Sequence, residues 1–117
     1  KALFIGGKEA TLTWSRGNGA NCIVFMKEGN TGAALPFNNT SYTDSVSFKS
    51  GTQIESSGWY CVYKGTQGST KVTGLNVNTD YIYQVLEFDG VAGTEIYDIQ
   101  TSADNPSSFS LNRVNCI

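Results

Sequence analysis

The chain has 117 residues, 39% hydrophobic and 15% charged, with 13 glycines and 2 prolines, a balance that gives one globular core and excludes a disordered chain. Its formal net charge is -2, and the lysines and arginines stand singly rather than in a stripe, which excludes a nucleic-acid footprint. Histidine is absent, so Ser-His-Asp and Cys-His nucleophile systems and histidine-ligated metal sites are excluded as well.

In chain order, short alternating stretches predict strands over residues 9–15, 21–28, 59–64, 70–75, 80–88 and 94–101, with a further short strand at 2–5. No stretch shows helical spacing, so the expected fold class is all-β. Turn signals separate the strands: Arg16-Gly17-Asn18-Gly19, Glu28-Gly29-Asn30, residues 65–68, residues 76–78 and Asp89-Gly90. Residues 31–58 form a long polar connection with only a weak strand candidate at 45–49, and long loops in compact domains often carry function. The expected domain spans residues 1–102, leaving 103–117 as a linker or an added strand. The longest apolar runs, such as residues 22–26, are far below bilayer length, and no signal-peptide pattern opens the chain, so no membrane insertion is expected. Because it starts at Lys1 without an initiator methionine, the chain is expected to be a piece of a longer polypeptide or a processed product, with any targeting signal outside it.

The stretch Leu75-Asn76-Val77-Asn78-Thr79-Asp80-Tyr81-Ile82-Tyr83-Gln84-Val85 resembles the fibronectin type III signature, with leucine, threonine, tyrosine and valine at the family's intervals and Val77 where the family usually has proline. Thr11-Leu12-Thr13-Trp14 resembles the family's strand B with its core tryptophan. The resemblance implies an immunoglobulin-like β-sandwich of two antiparallel sheets with a long connection after strand C. It also implies a structural core of Trp14, Leu75, Tyr81 and Val85, and a tyrosine corner in which the Tyr81 hydroxyl reaches back to the backbone. Pro36, Asn39, Tyr42, Tyr63 and Gly65, followed by Leu86-Glu87-Phe88-Asp89-Gly90, are similar to the version of this domain in surface and secreted proteins of Bacteroidetes-type bacteria. In that family Cys22 and Cys61 fall on neighbouring strands, which makes a disulfide between them feasible; the alternative is that they are buried thiols, and Cys116 is left over.

Carboxylates remain as acid-base candidates, with Glu87 and Asp89, or Glu95 and Asp98, as the pairs that spacing allows. Glu87 occupies a position that is usually small and apolar in the resembling family, and a structural role is expected for it, since an unpaired buried carboxylate is costly. Asp98, Asp104 and Asn105 supply oxygen ligands without the dense alternation of a calcium loop, and no cofactor or metal is expected. Asn38-Asn39-Thr40-Ser41 contains two glycosylation sequons and Asp44-Ser45-Val46 resembles a bacterial O-glycosylation acceptor, both short enough to arise by chance. The best candidate ligand-binding residues are the aromatics Tyr42, Trp59 and Tyr60, with Phe37 nearby, because exposed flat rings stack on sugars or anchor protein partners; the competing and favoured reading of Trp59 is that it covers the sheet edge or the open end of the core.

The expected function is a non-catalytic structural or interaction module, a spacer or docking domain of a larger secreted or cell-surface protein. Its partners would be neighbouring domains and a protein or glycan ligand. An ancillary glycan-binding domain using exposed aromatics is the alternative, and a carboxylate-based hydrolase the weakest reading.

Overall fold

A computed structural model describes residues 2–111. Eight strands and no helix occur among them: β1 (Ala2–Gly6), β2 (Glu9–Thr13), β3 (Asn21–Glu28), β4 (Tyr60–Gly65), β5 (Ser69–Val72), β6 (Thr79–Asp89), β7 (Ile96–Tyr97) and β8 (Ser107–Leu111). They form two antiparallel sheets, a three-stranded one in the order β1-β2-β5 and a five-stranded one in the order β4-β3-β6-β7, with β8 also paired to β6. This arrangement is compatible with a β-sandwich.

The two sheets obey different burial rules. On β2, Ala10 and Leu12 are buried while the intervening residues are partly exposed, the pattern of a sheet with one face on a core and one on solvent. On β3, by contrast, residues 22–26 are buried without interruption, and on β6 the same holds for 81–84. Successive side chains point to opposite faces, so a continuous buried run means that both faces are covered. One face carries Val24, Met26, Tyr81 and Tyr83 into a core shared with Ala10, Leu12, Val72 and Leu75 of the opposing sheet region. The other carries Ile23, Phe25, Ile82, Leu86 and Phe88 into a second core.

The second core is closed by the connection between β3 and β4, which supplies Ala34, Tyr42, Ile54 and Trp59. Tyr42 meets Phe25 and Tyr97 edge-on at ring separations of 5.3 and 5.9 Å, in the T-shaped geometry that aromatic quadrupoles favour. The same connection pairs with the free edge of β4, where the Ser45 amide donates to the Cys61 carbonyl and the Cys61 amide donates to Thr52. A Cβ at Gly51 would collide with the Cys61 carbonyl oxygen, so the approach requires glycine. Farther along, Phe48 crosses to the first core and packs edge-on against Tyr60 and Tyr81. The connection therefore clasps the five-stranded sheet as a third layer.

Several sequence expectations change here. The strand expected over 94–101 is reduced to Ile96–Tyr97, and the candidate at 45–49 is a single bridge between Ser47 and Thr73. Residues 107–111 are an added strand with Leu111 fully buried, so the folded unit continues past residue 102. Of the expected core, Leu75 and Tyr81 are fully buried, whereas Trp14 and Val85 are partly buried at the margin of the same cluster. Cys22 and Cys61 do lie on neighbouring strands, yet both are free thiols. The register explains this: Cys22 stands opposite Gly65 while Cys61 stands opposite Phe25, an offset of roughly 10 Å along the strand, beyond the reach of a disulfide. Cys116 lies outside the described residues.

Candidate functional site

Between the end of β2 and the segment following β7 is a cleft of about 690 Å³. Its floor is one face of β6, where Tyr83, Val85 and Glu87 follow one another at every second position. Trp14 forms one wall, and Asp98, Gln100, Ser102, Asp104 and Asn105 form the other. The cleft exists because the edge of the sheet is interrupted. The ladder on β6 ends where the Asp98 amide donates to the Glu87 carbonyl (2.9 Å) and resumes at the Tyr83–Ser107 pair.

In the gap a side chain replaces the missing strand. The Asn105 carboxamide accepts from the Val85 amide at 2.9 Å and donates to the Val85 carbonyl at 2.7 Å, satisfying both backbone groups as a paired strand would. Asn105 is itself held by a tight turn in which the Ser102 amide donates to its carbonyl oxygen at 2.8 Å. The opposite wall is fixed by the Trp14 indole N–H donating to the Gln67 carbonyl (3.0 Å) and by the Tyr83 hydroxyl donating to the Thr13 carbonyl (2.9 Å).

Glu87 is the most elaborately bound side chain at this end of the molecule. Arg16 donates to both of its carboxylate oxygens at 2.9 Å, a bidentate pairing, and the Gly19 amide adds a third bond at 3.0 Å. The Arg16 guanidinium in turn donates to the Thr66 and Gly19 carbonyls. Gly19 must be glycine here, since a Cβ would fall 2.9 Å from the Glu87 Cβ and 3.0 Å from the Phe88 amide. These bonds, with Arg16 the chief cause, lower the Glu87 pKa below the usual carboxylate value despite partial burial. Glu87 is thus a held anion, with no proton to give at neutral pH.

Neither carboxylate pair that spacing allowed is formed. Asp89 accepts from the Ala20 amide at 2.7 Å, apart from the Arg16 clamp on Glu87. Glu95 is buried beneath the connection, where it accepts from Ser41 Oγ and from the Gly93 amide, and the Ser41 bond lowers its pKa. Asp98 stands directly across the ladder from Glu87, a cross-strand juxtaposition invisible in sequence spacing. Among the described residues no cluster of three or more Cys, Asp or Glu side chains is arranged to hold a metal ion.

The aromatic candidates lie elsewhere. Tyr42 and Trp59 are each only 3% exposed, interior to the second core, and present no open ring face. Tyr60 is half-buried against the first core and lines a separate shallow groove of about 310 Å³ with Lys27 and Phe48. The large apolar side chains that the connection does expose are Leu35, Phe37 and Val46. Asn38, within the sequon, accepts from the Tyr97 amide at 2.9 Å and so anchors the connection on β7. Sequence reasoning missed the cleft because its two walls are 84 residues apart and its shape depends on where β7 stops. The one available signal was the polar stretch from Asp98 to Ser108, which overlaps the end of the strand expected over 94–101 and the start of the expected linker.

Comparison with protein-family models, with curated proteins and with solved structures gives no match to this chain.

Proposed function

We propose that this chain is a non-catalytic β-sandwich module of the fibronectin type III kind, serving as a spacer or docking unit within a larger secreted or cell-surface protein. The observation that carries the reading is the Tyr81 side chain, whose ring is fully buried and whose hydroxyl accepts from the Asn76 amide at 2.8 Å. That is the geometry of a tyrosine corner, which staples the entrance of a strand to the turn before it. The strand order adds support: β1-β2-β5 opposite β4-β3-β6 and the β7/β8 edge follows the family's grouping of strands A, B and E against C′, C, F and G. Val77 in place of proline and the layer formed by the connection are departures from the family's pattern.

The non-catalytic part of the reading rests on the chemistry of the acidic groups. Glu87 and Glu95 are held as anions by donors, so neither can serve as the general acid that a two-carboxylate hydrolase needs, although Asp98 shares the cleft with Glu87. A rigid sandwich with a strapped outer face suits a spacer, and fold alone does not identify its partner. Incubation of the purified chain with chromogenic glycosides, esters and peptides tests the reading. No turnover above buffer is expected; turnover abolished by Glu87→Gln would overturn it.

A further inference from the structure

We propose that the cleft between Trp14 and the 98–107 segment is a saccharide-binding site, in which a sugar ring lies against the Trp14 indole and its hydroxyls are bonded by Asp98, Gln100 and Asp104. The volume, about 690 Å³, falls in the roughly 300–1,000 Å³ range of small-molecule sites. The lining has the required mixture: an indole and Val85 as apolar surface, with polar side chains converging from the facing wall. Trp14 is half-buried, and its N–H is already bonded to Gln67, so what it offers the cleft is ring surface rather than a donor.

The polar wall is exposed and largely unspent. Among the described residues the side chains of Gln100 and Asp104 have no hydrogen-bond partner, and Asp98 uses one oxygen for the Gln100 amide, leaving the other. Carboxylates and a carboxamide set side by side accept from and donate to neighbouring hydroxyls, and the carboxylate bonds are charge-assisted. The surrounding frame is fixed before any ligand arrives, by the Arg16 clamp on Glu87, the Asn105 clamp on Val85 and the Tyr83 bond to Thr13. Such preorganisation reduces the ordering cost of binding.

A cationic ligand is the competing chemistry, since Asp98 and Asp104 are both negative. Both stand at the exposed rim, where solvent and salt screen a charge-only attraction. Glu87, the carboxylate on the floor, is already neutralised by Arg16. A neutral ring gains instead from covering the apolar wall while its hydroxyls meet the rim. The site goes beyond a spacer role and transfers sugar recognition from Tyr42 and Trp59, which are buried, to Trp14.

The chain contains two tryptophans, so a Trp59→Phe variant makes Trp14 the sole indole reporter. Its emission would be titrated with methyl glycosides of glucose, galactose, mannose and N-acetylglucosamine and with linear oligosaccharides of each. A saturable shift is expected, weakened about tenfold by Gln100→Ala and by Asp104→Ala with the thermal midpoint unchanged. If Trp59→Phe does not fold, amide chemical-shift mapping on the unaltered chain gives the same reading at residues 13–17 and 98–107. The proposal is overturned if no saccharide in the set shifts the signal, if the shift persists undiminished in both variants, or if only arginine amide binds, in a salt-sensitive manner. Cleavage of a bound oligosaccharide would overturn the non-catalytic reading and leave this site standing, whereas absence of both binding and cleavage would remove this site alone.

Discussion

Side-chain hydrogen bonds at two places on β6, one at Tyr81 and a pair at Val85, fix how the strand is entered and how its edge is finished. Tyr81→Phe keeps the buried ring and removes only the acceptor for the Asn76 amide, so a loss of about 1–1.5 kcal/mol is expected in urea unfolding, with an unchanged slope. No loss would mean that the hydroxyl bond contributes nothing and would weaken the corner as the basis of the fold assignment. Asn105→Ala leaves the amide and the carbonyl of Val85 without partners in the gap between β7 and β8, and a cost of about 1–3 kcal/mol is expected. Asn105→Asp should recover only part of it, because a carboxylate can accept from the Val85 amide but cannot donate to the Val85 carbonyl. Amide exchange at Val85 is the direct measurement, with faster exchange expected in Asn105→Ala and protection retained in Asn105→Asp.

At the scale of elements, the long connection behaves as a structural layer rather than as a free loop. Trp59 and Tyr42 are interior side chains, while Trp14 is half-buried at the rim of the cleft. Trp59→Ala should therefore cost about 3–5 kcal/mol, the range for deleting a buried large aromatic, and Trp14→Ala distinctly less. Equal or reversed losses in chemical denaturation would show that the connection is only loosely attached to the sheet. Gly51→Ala belongs to the same test, since a methyl group there must displace the connection from the edge of β4. Its effect should appear as proteolytic cleavage within residues 31–58 before global unfolding.

Across the whole molecule, two anions couple stability to pH and two thiols are sealed from solvent. Glu87 and Glu95 both have folded-state pKa values below the ordinary carboxylate value of 4.5. Between the folded and unfolded values the unfolded chain binds more protons, so their contribution is complete above the ordinary carboxylate range and declines as pH falls through the lower folded values. The unfolding midpoint should be flat from neutral pH to about 5 and then drop, and Glu87→Gln should make that drop shallower. An unchanged acid slope in the variant would dismiss the Arg16–Glu87 pair as its source. Burial pushes the Cys61 thiol up to about 12 and raises that of Cys22 as well, which keeps both protonated and unreactive. Peptide mapping after thiol labelling should find Cys22 and Cys61 protected in the native chain and modified after denaturation. A disulfide between them in an unreduced digest would contradict the register of β3 and β4.

The sequence by itself determined the all-β class, the extent of β3 to its end residues, the centre of β6 and the burial of Leu75 and Tyr81. Those features are written locally, in alternation, turn residues and fixed short spacings. The apolar run at residues 22–26, read from the sequence as too short for a bilayer, is covered on both faces in the structure. Tertiary structure decided the rest. The connection could be recognised as a core layer only from its contacts, because its apolar residues, Ala34, Tyr42, Ile54 and Trp59, are spread through polar sequence with no period. The cleft likewise arose from the early end of β7, from Asn105 standing in for a strand and from the Arg16–Glu87 pairing across 71 residues. Such contacts depend on sheet register and strand order, and a one-residue shift in register would exchange the faces on which their side chains lie.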